Sequence, residues 1–262
     1  MADYTFIDLF PEVANREYEE GVQGWNDIFG DPIIDAAGSV GITHVVFTGV
    51  LVVALTIFAL IARRKYRTPE SALVPDGKLT VASFFEVLFD AVLSMMSDIM
   101  GEKAAKRYFP LIATLATFIL LGNLMGLVVG LYPPTSNLNT GLACAIVVFV
   151  VYNIGGFMEQ GLGYAKHFLG PAIYLAPLML IIELLSHAFR PISLAARLTG
   201  NMSGDHMVIA VFGDIAEGVI HVPFLLPIPF LFLGFLVSII QAVVFALLST
   251  IYIALAIHHE EH

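Results

Sequence analysis

The segment Glu183–Gly204, ELLSHAFRPISLAARLTGNMSG, places charged side chains inside a very apolar part of the chain. Its polar and small residues recur every three or four positions, which is the spacing of one face of an α-helix at about 100° per residue. The residues of this polar stripe are Glu183, Ser186, Arg190, Ser193, Arg197, Asn201 and Gly204. Because charged groups are costly to insert into a bilayer, we interpret the polar stripe as functional.

The composition extends this interpretation to the whole chain. Of its 262 residues, 58% are hydrophobic and 13% are charged, and a soluble protein usually carries about twice that charged fraction. The mean hydropathy is +0.86. Several windows hold about 20 apolar residues, enough to cross the hydrocarbon core of a bilayer. The sequence therefore predicts an all-α polytopic membrane protein, in which residues 41–262 form a single integral membrane domain.

The acidic and basic residues predict the orientation of the chain. Residues 1–40 contain nine acidic residues and one basic residue, Arg16, whereas residues 63–107 contain eight of the twelve lysines and arginines. Because basic loops stay on the cytoplasmic side, we expect residues 1–40 to be an acidic extramembrane segment on the outside. This asymmetry indicates orientation and not nucleic-acid binding. No signal or transit peptide is evident, which favours a bacterial plasma membrane.

About five membrane helices are expected. They are predicted at residues 44–62, 108–131, 141–161, 171–212 and 230–257. The fourth helix is about 60 Å long at 1.5 Å per residue, which is twice the thickness of the hydrocarbon core. Pro191 kinks a helix more readily than it reverses one, so we expect a single helix strongly inclined to the membrane. Across a loop at 213–229, the segments 171–212 and 222–257 form an inclined hairpin, the predicted ion pathway. Five crossings place the C-terminus in the cytoplasm.

Residues 79–105 have a different character, because acidic side chains alternate with apolar ones at helical intervals. The acidic residues are Glu86, Asp90, Asp98 and Glu102. These are too many charges for a membrane span, so we predict an amphipathic helix on the cytoplasmic surface of the membrane. Packing against the helix of a partner is the alternative.

Arg197 is difficult to place in a bilayer, since insertion of an arginine near its middle costs about 2.5–3.5 kcal/mol. An electrostatic element in an ion pathway explains this cost, and a structural arginine bonded to backbone carbonyls is the alternative. Glu183 shares the face of Arg197 but precedes it by 14 residues, or about 21 Å of helix, so the two cannot pair. His206 titrates near neutrality and, beside Asp205, indicates a proton relay.

Several stretches of the sequence resemble one known family. RPISLAARLTGNMSGDH, at 190–206, resembles the signature helix of subunit a, the stator ion channel of F-type ATP synthases. SIIQAVVFALLSTIYIALA, at 238–256, and the ending EEH are similar to the C-terminal helix of that family. GNLMGL at 122–127 and PPTSNLNT at 133–140 have counterparts as well. The resemblance extends from about residue 40 to the end of the chain.

The resemblance implies a role for each matched residue. Arg197 matches the essential arginine, which faces a rotating ring of c subunits, keeps the ring carboxylate ionised and blocks a direct proton leak between two aqueous half-channels. Asn201 and Gln241 match the polar residues that flank this arginine. Glu183 matches the acid of the cytoplasmic half-channel. His206 matches a position of the outer half-channel that is Glu in some members of the family and His in others.

One position departs from the family pattern. The family often places an acid or a histidine seven residues before the glutamine, and here that residue is Gly234. The resemblance leaves open which nearby residue replaces the missing proton carrier; the candidates are Asp205, Asp214, Glu217 and His221. Arg190 falls where a basic residue is common in the family.

The resemblance also implies the activity and the partners. Protons pass through two offset half-channels to and from the c-ring carboxylates, which couples the proton gradient to rotation and to ATP synthesis on other subunits. The expected partners are the ring of c subunits, peripheral-stalk b subunits and the lipid bilayer, and no nucleic acid is expected. The chain has no P-loop motif, so neither a catalytic site nor a bound nucleotide is predicted. Cys144 is the single cysteine, and we expect neither metal nor cofactor.

Three other interpretations are possible from the residues alone. A secondary ion transporter with a buried Arg/Glu/His relay would explain the charges, but it is expected to show broken helices in two repeats. A purely structural subunit would tolerate Arg197→Gln. An intramembrane serine protease could use Ser203 and His206, although the chain lacks Gly-x-Ser at this position.

Overall fold

The computed structural model describes residues 43–65, 80–128, 131, 133–161, 164, 176–220 and 227–257. Within these residues the regular structure is entirely helical, which confirms the all-α prediction. The six α-helices are α1 (Thr43–Lys65), α2 (Val81–Met100), α3 (Glu102–Met125), α4 (Leu138–Gln160), α5 (Ala176–Ile220) and α6 (Pro227–Ile257). All of them except α2 are long and apolar enough to cross a membrane. The predicted acidic segment 1–40 lies outside the described residues.

The amphipathic helix α2 ends earlier than predicted. It begins after Thr80, whose hydroxyl accepts a hydrogen bond from the backbone N–H of Ser83 at 3.2 Å, as an N-cap does. It ends at Gly101, which has a φ of 78° and donates its N–H to the carbonyl of Ser97 at 3.0 Å. Glycine adopts this conformation readily, so the helix stops there. The predicted helix 79–105 is therefore wrong at its C-terminal end, which belongs to α3.

The second predicted span, 108–131, is displaced for the same reason, because α3 already begins at Glu102. Its end is also earlier than predicted. The N–H groups of Gly126 and Leu127 bond to the carbonyls of Asn123 and Leu124 at 3.1 and 3.2 Å. These bonds span three residues and tighten the last turn, which ends the α-helix at Met125.

α5 is one continuous helix of 45 residues, about 68 Å long at 1.5 Å per residue. Pro191 lies inside it without ending it, so the prediction of one long helix is confirmed, and its inclination to the membrane stays a prediction. The predicted loop at 213–229 is wrong over its first eight residues, which continue α5. A single glycine such as Gly213 lowers helix propensity by about 1 kcal/mol without stopping a helix. The first proline of the predicted loop is Pro223, which lies after the end of α5.

α6 begins at Pro227, three residues before the predicted start at Phe230. Proline is compatible with the first turn of a helix, where its missing N–H has no intrahelical acceptor. α5 and α6 pack against each other. Three pairs of neighbours show the direction of this packing, because the α5 residue rises in number as the α6 residue falls: Arg190–Tyr252, Asn201–Gln241 and Asp205–Gly234. The two helices therefore form the predicted hairpin.

The core lies where α2, α3, α4, α5 and α6 meet. Its buried side chains include Ile112, Ile119, Val148, Tyr152, Leu198, Phe245 and Ile253. Glycines let α4 approach its neighbours closely. A Cβ on Gly141 would lie 3.3 Å from the carbonyl oxygen of Ala195, and a Cβ on Gly156 would lie 2.6 Å from the ring of Tyr164. α1 stands at the edge of the bundle and exposes most of its apolar side chains, as a lipid-facing helix does.

Candidate functional site

The polar stripe of α5 faces away from the core. The opposite side of the helix is apolar and buried, through Leu194, Ala195, Leu198 and Met202. Arg197 is exposed, and among the residues that the structure describes it makes no hydrogen bond or ion pair. An unpaired guanidinium at the surface of a membrane helix is costly. Arg197 therefore requires an anion that the described part of the chain does not supply.

Asn201 and Gln241 connect the two helices one turn beyond Arg197. The side-chain Nδ2 of Asn201 donates to Oε1 of Gln241 at 2.8 Å. Gln241 is almost fully buried, and its Nε2 has no partner among the described residues. The structure thus brings together two residues that the sequence places 40 positions apart, and it leaves the buried amide nitrogen of Gln241 without a partner among the described residues.

A groove of about 370 Å³ opens next to this hydrogen bond. It is lined by Gly200, Asn201, Gly204, Asp205, Val237, Ile240 and Gln241. Beside Asp205, toward the end that is predicted to be the outer one, a Cβ built on Gly234 would lie 4.0 Å from Oδ2 of Asp205 and 3.1 Å from Cδ2 of Leu127. The carboxylate of Asp205 therefore stands beside the position where a side chain is missing at Gly234.

The other predicted residues of the outer half are less completely described. His206, Asp214 and Glu217 belong to α5, and the structure describes their backbone only. His221 lies outside the described residues. Of the four candidates for the carrier that Gly234 lacks, Asp205 is the one whose side chain the structure places next to it.

The end of the stripe at Glu183 and Arg190, which is predicted to be the inner one, has its own ion pair. Nη2 of Arg190 lies 3.7 Å from Oε1 of Glu183, and both side chains are about one-third exposed. The guanidinium carbon of Arg190 lies 5.5 Å from the ring centroid of Tyr252 on α6, a distance that permits a cation–π contact. Glu183 thus pairs with an arginine two turns away on its own helix and not with Arg197.

His187 was given no role by the sequence analysis, although it belongs to the same segment. It is 6% exposed, and its Nε2 lies 2.9 Å from Oδ1 of Asn153 on α4. The hydroxyl of Tyr152 lies 3.2 Å from the same nitrogen. The sequence shows one polar residue in each of two apolar helices, Asn153 in α4 and His187 in α5. Only the tertiary structure shows that these two side chains meet.

The polar groups are thus distributed along α5 in three places. Asp205 lies about 12 Å beyond Arg197 along the helix, and Glu183 lies about 21 Å before it. Because α5 is expected to be inclined to the membrane, these distances along the helix correspond to smaller differences in depth. From Glu183 to Asp205, the faces of α5 away from the polar stripe are mostly apolar. The arrangement is typical of separate ion-access sites on either side of one positive charge.

The fold and the site define an ion-conducting, multi-pass membrane protein. The sequence profile described as "ATP synthase A chain" matches residues 45–254. "ATP synthase subunit a" of Trichlorobacter lovleyi is 47% identical over 209 residues, which are 80% of this chain and 84% of the relative. The relative of that name in Geobacter sulfurreducens is 45% identical over 213 residues, 81% of this chain and 86% of the relative. In Citrifermentans bemidjiense the identity is 44% over 219 residues, 84% and 89% of the two chains.

The chain therefore belongs to the family of subunit a of F-type ATP synthases, the proton-conducting stator subunit. The resemblance carried by the two C-terminal helices is confirmed. The chain is a multi-pass membrane component of a bacterial type of ATP synthase.

Proposed function

We propose that the chain conducts protons through two offset half-channels, to and from carboxylates on a ring of c subunits, and so couples a proton gradient to rotation and ATP synthesis. The observation that carries this proposal is the position of Arg197. It is exposed on α5, unpaired among the described residues, and lies between Asp205 and the Glu183–Arg190 pair.

Arg197 acts as the barrier between the two half-channels. Its charge attracts an ionised carboxylate of the ring, and this attraction grows as the surrounding dielectric constant falls. The same charge repels a proton that would otherwise pass directly from one half-channel to the other. Asn201 and Gln241 lie one turn away, and their 2.8 Å hydrogen bond fixes α5 against α6 at this level.

The outer half-channel delivers protons to the ring. Asp205 is its proton carrier, because the carboxylate of Asp205 stands 4.0 Å from the Cβ position of Gly234. Its neighbour in sequence, His206, shares this task, with Asp214, Glu217 and His221 as further groups toward the outside. A ring carboxylate that accepts a proton here becomes neutral and can enter the lipid, where a charged group would be costly.

The inner half-channel releases protons on the cytoplasmic side. Glu183 is its acid, and Arg190, at 3.7 Å, holds a positive charge beside it. After almost a full turn of the ring, the protonated carboxylate reaches this side and loses its proton. Each charge that crosses a potential of 100 mV contributes about 2.3 kcal/mol to rotation.

The orientation and the partners follow from the basic residues. Arg63 lies at the C-terminal end of α1, and Lys103, Lys106 and Arg107 lie in the first turns of α3. By the positive-inside rule, the C-terminal end of α1 and the N-terminal end of α3 lie on the cytoplasmic side of a bacterial plasma membrane. The N-terminus of the chain is then outside and its C-terminus is in the cytoplasm. α2 then lies on the cytoplasmic surface, and peripheral-stalk b subunits complete the stator.

The test uses Arg197→Ala in the complete complex, reconstituted into vesicles after its assembly has been verified. Proton-driven ATP synthesis falls by at least about 100-fold, the usual size of the loss when one group that stabilises a charge in the reaction path is removed. The passive proton leak, recorded after removal of the catalytic head, stays the same or increases. Arg63→Ala, an exposed arginine at the end of α1, is the control and keeps normal synthesis. Normal synthesis in Arg197→Ala would overturn the proposal.

A further inference from the structure

A buried polar cluster links α4, α5 and α6 near the inner end of the polar stripe. His187 stands at its centre, with its Nε2 2.9 Å from Oδ1 of Asn153. The hydroxyl of Tyr152 lies 3.2 Å from Nε2 and 3.5 Å from Nδ1 of the same imidazole. The rings of Phe149 and Tyr152 pack against it, with centroids 5.2 and 5.1 Å away. His187 therefore has polar and aromatic partners on α4.

The hydrogen bonds of Asn153 assign the proton on His187. Nδ2 of Asn153 donates to the backbone carbonyl of Phe149 at 2.7 Å, which leaves Oδ1 as the acceptor. This oxygen accepts from the hydroxyl of Tyr164 at 3.3 Å and from Nε2 of His187. His187 must therefore carry a hydrogen on Nε2, since an unprotonated nitrogen facing an oxygen acceptor would be repelled.

The cluster is connected to Arg190 through contacts between aromatic side chains. The ring of Tyr152 lies 6.2 Å from that of Tyr252 on α6. The guanidinium of Arg190 lies 5.5 Å from the ring of Tyr252. Arg190 follows His187 by three residues, so the two side chains leave α5 about one turn apart, with His187 toward the core and Arg190 on the polar stripe. The position of Arg190 relative to Glu183 is thus connected to the position of His187 through three helices.

We propose that His187 is a positioning residue of the inner half-channel. Its hydrogen bond to Asn153 fixes the rotation of α5 against α4. Through Tyr152 and Tyr252, this fixed rotation keeps Arg190 within reach of Glu183. The inference rests on the proposed role of Glu183 as the acid of that half-channel.

The surroundings of His187 favour positioning over proton transport. Its ring is buried between aromatic side chains, away from the exposed side of α5. The described groups around it include the phenol of Tyr152, the amide of Asn153 and, on its own helix, Arg190 and Glu183. The phenol of Tyr164 donates to the same oxygen of Asn153. A second positive charge one turn from Arg190 is electrostatically unfavourable. His187 therefore acts as a neutral hydrogen-bond donor.

The test compares His187→Gln with His187→Ala in the assembled complex. Glutamine places an N–H close to the position of Nε2 but does not titrate. The measurements are ATP-driven proton pumping and the dependence of passive proton conduction on the pH of the inner side. We expect His187→Ala to reduce conduction by about five- to tenfold and to alter its pH profile, because Arg190 moves away from the path. His187→Gln retains at least half of the activity with the original profile.

A double substitution tests whether the effect passes through Arg190. If it does, His187→Ala combined with Arg190→Ala is no worse than Arg190→Ala alone, because the shared interaction is already lost. Losses that multiply would overturn the inference. So would a His187→Gln variant as deficient as His187→Ala, which would indicate proton transport by the imidazole. A His187→Ala variant with normal conduction would also overturn it, and the result for Arg197→Ala would still decide the proposed function separately.

Discussion

Glu183 and Arg197 lie on the same stripe of α5, but the described residues supply a counter-charge for Glu183 and none for Arg197. Glu183 is paired with Arg190 at 3.7 Å, and Arg190 contacts the ring of Tyr252. Arg197 is exposed and has no partner among the described residues. At the inner end of the stripe the chain itself supplies the counter-charge, whereas the centre needs an anion that the described residues do not supply. Substitutions at the inner end and at the centre of the stripe are expected to have different consequences.

The largest difference is expected between the two arginines. Arg197→Gln lowers proton-driven ATP synthesis by at least about 100-fold, because no other cation that the structure describes lies at this level of α5 to take its place opposite the ring carboxylate. Arg190→Gln lowers it by less than about tenfold, since a partly exposed ion pair contributes only about 1 kcal/mol or less. ATP synthesis in vesicles with equal amounts of assembled complex measures both. Equal losses in the two variants would show that the centre and the inner end do not differ in this way.

The outer end can be tested by moving a carboxylate across the hairpin. Asp205→Gly is expected to lower ATP-driven proton pumping by about 100-fold, the lower end of the contribution that a positioned proton-transfer group makes. Asp205→Gly combined with Gly234→Asp restores a large part of it, because the new side chain starts 4.0 Å from the place that Oδ2 of Asp205 occupies. Leu127, 3.1 Å from the added Cβ, must yield slightly.

Gly234→Asp alone is the matched control for this exchange. It places two carboxylates side by side, and like charges at this distance disfavour ionisation of both. Pumping in the single Gly234→Asp variant is therefore expected to fall below that of the unaltered complex. If the double variant pumps no better than Asp205→Gly, the carrier lies elsewhere, and His206, Asp214, Glu217 and His221 are the candidates to substitute next.

The sequence predicted the helices well and the contacts between them poorly, for physical reasons. Apolar length and helical spacing are local properties, so five spans and the unbroken helix through Pro191 followed directly. The ends of helices depend on single residues: Gly101 stops α2 through its positive φ, whereas Gly213 does not stop α5. The proximity of Asp205 to Gly234 and of His187 to Asn153 depends on how helices pack, which one sequence does not express.

Two glycines sharpen the comparison between the inner end and the centre. A Cβ on Gly156 would lie 2.6 Å from the ring of Tyr164, whereas a Cβ on Gly200 would have no atom within 4 Å. Gly156→Ala is expected to destabilise the chain by about 1–3 kcal/mol through overpacking. Gly200→Ala leaves stability unchanged or slightly improved, because alanine favours helix. Thermal unfolding of the purified complex in detergent measures the first effect.

The substitutions at Gly156 and Gly200 distinguish an effect on stability from an effect on the coupling of proton flow to ATP synthesis. Gly200 lines the open groove beside Asn201, on the side that we assign to the ring. Gly200→Ala is therefore expected to reduce ATP synthesis more than it affects thermal stability, whereas Gly156→Ala reduces both in proportion to the amount of folded complex. A Gly200→Ala complex that is both stable and fully active would show that the groove is not a close contact with the ring.

The smallest expected effect concerns the bond between α5 and α6 beside Arg197. Nδ2 of Asn201 donates to Oε1 of Gln241 at 2.8 Å, and Asn201 is exposed while Gln241 is buried. A double-mutant cycle of Asn201→Ala and Gln241→Ala, read out as the rate of ATP synthesis, is expected to give a coupling of about 1 kcal/mol, or roughly fivefold. Gln241→Ala alone has the larger effect of the two, because it also leaves a cavity where the buried side chain of Gln241 packs. The Nε2 donor of Gln241 lacks a partner among the described residues. If that donor serves the ring, Gln241→Glu, which keeps the acceptor and removes the donor, is as deficient as Gln241→Ala. If Gln241→Glu keeps full activity, the amide serves the hairpin alone, and recognition of the ring at this level depends on Arg197.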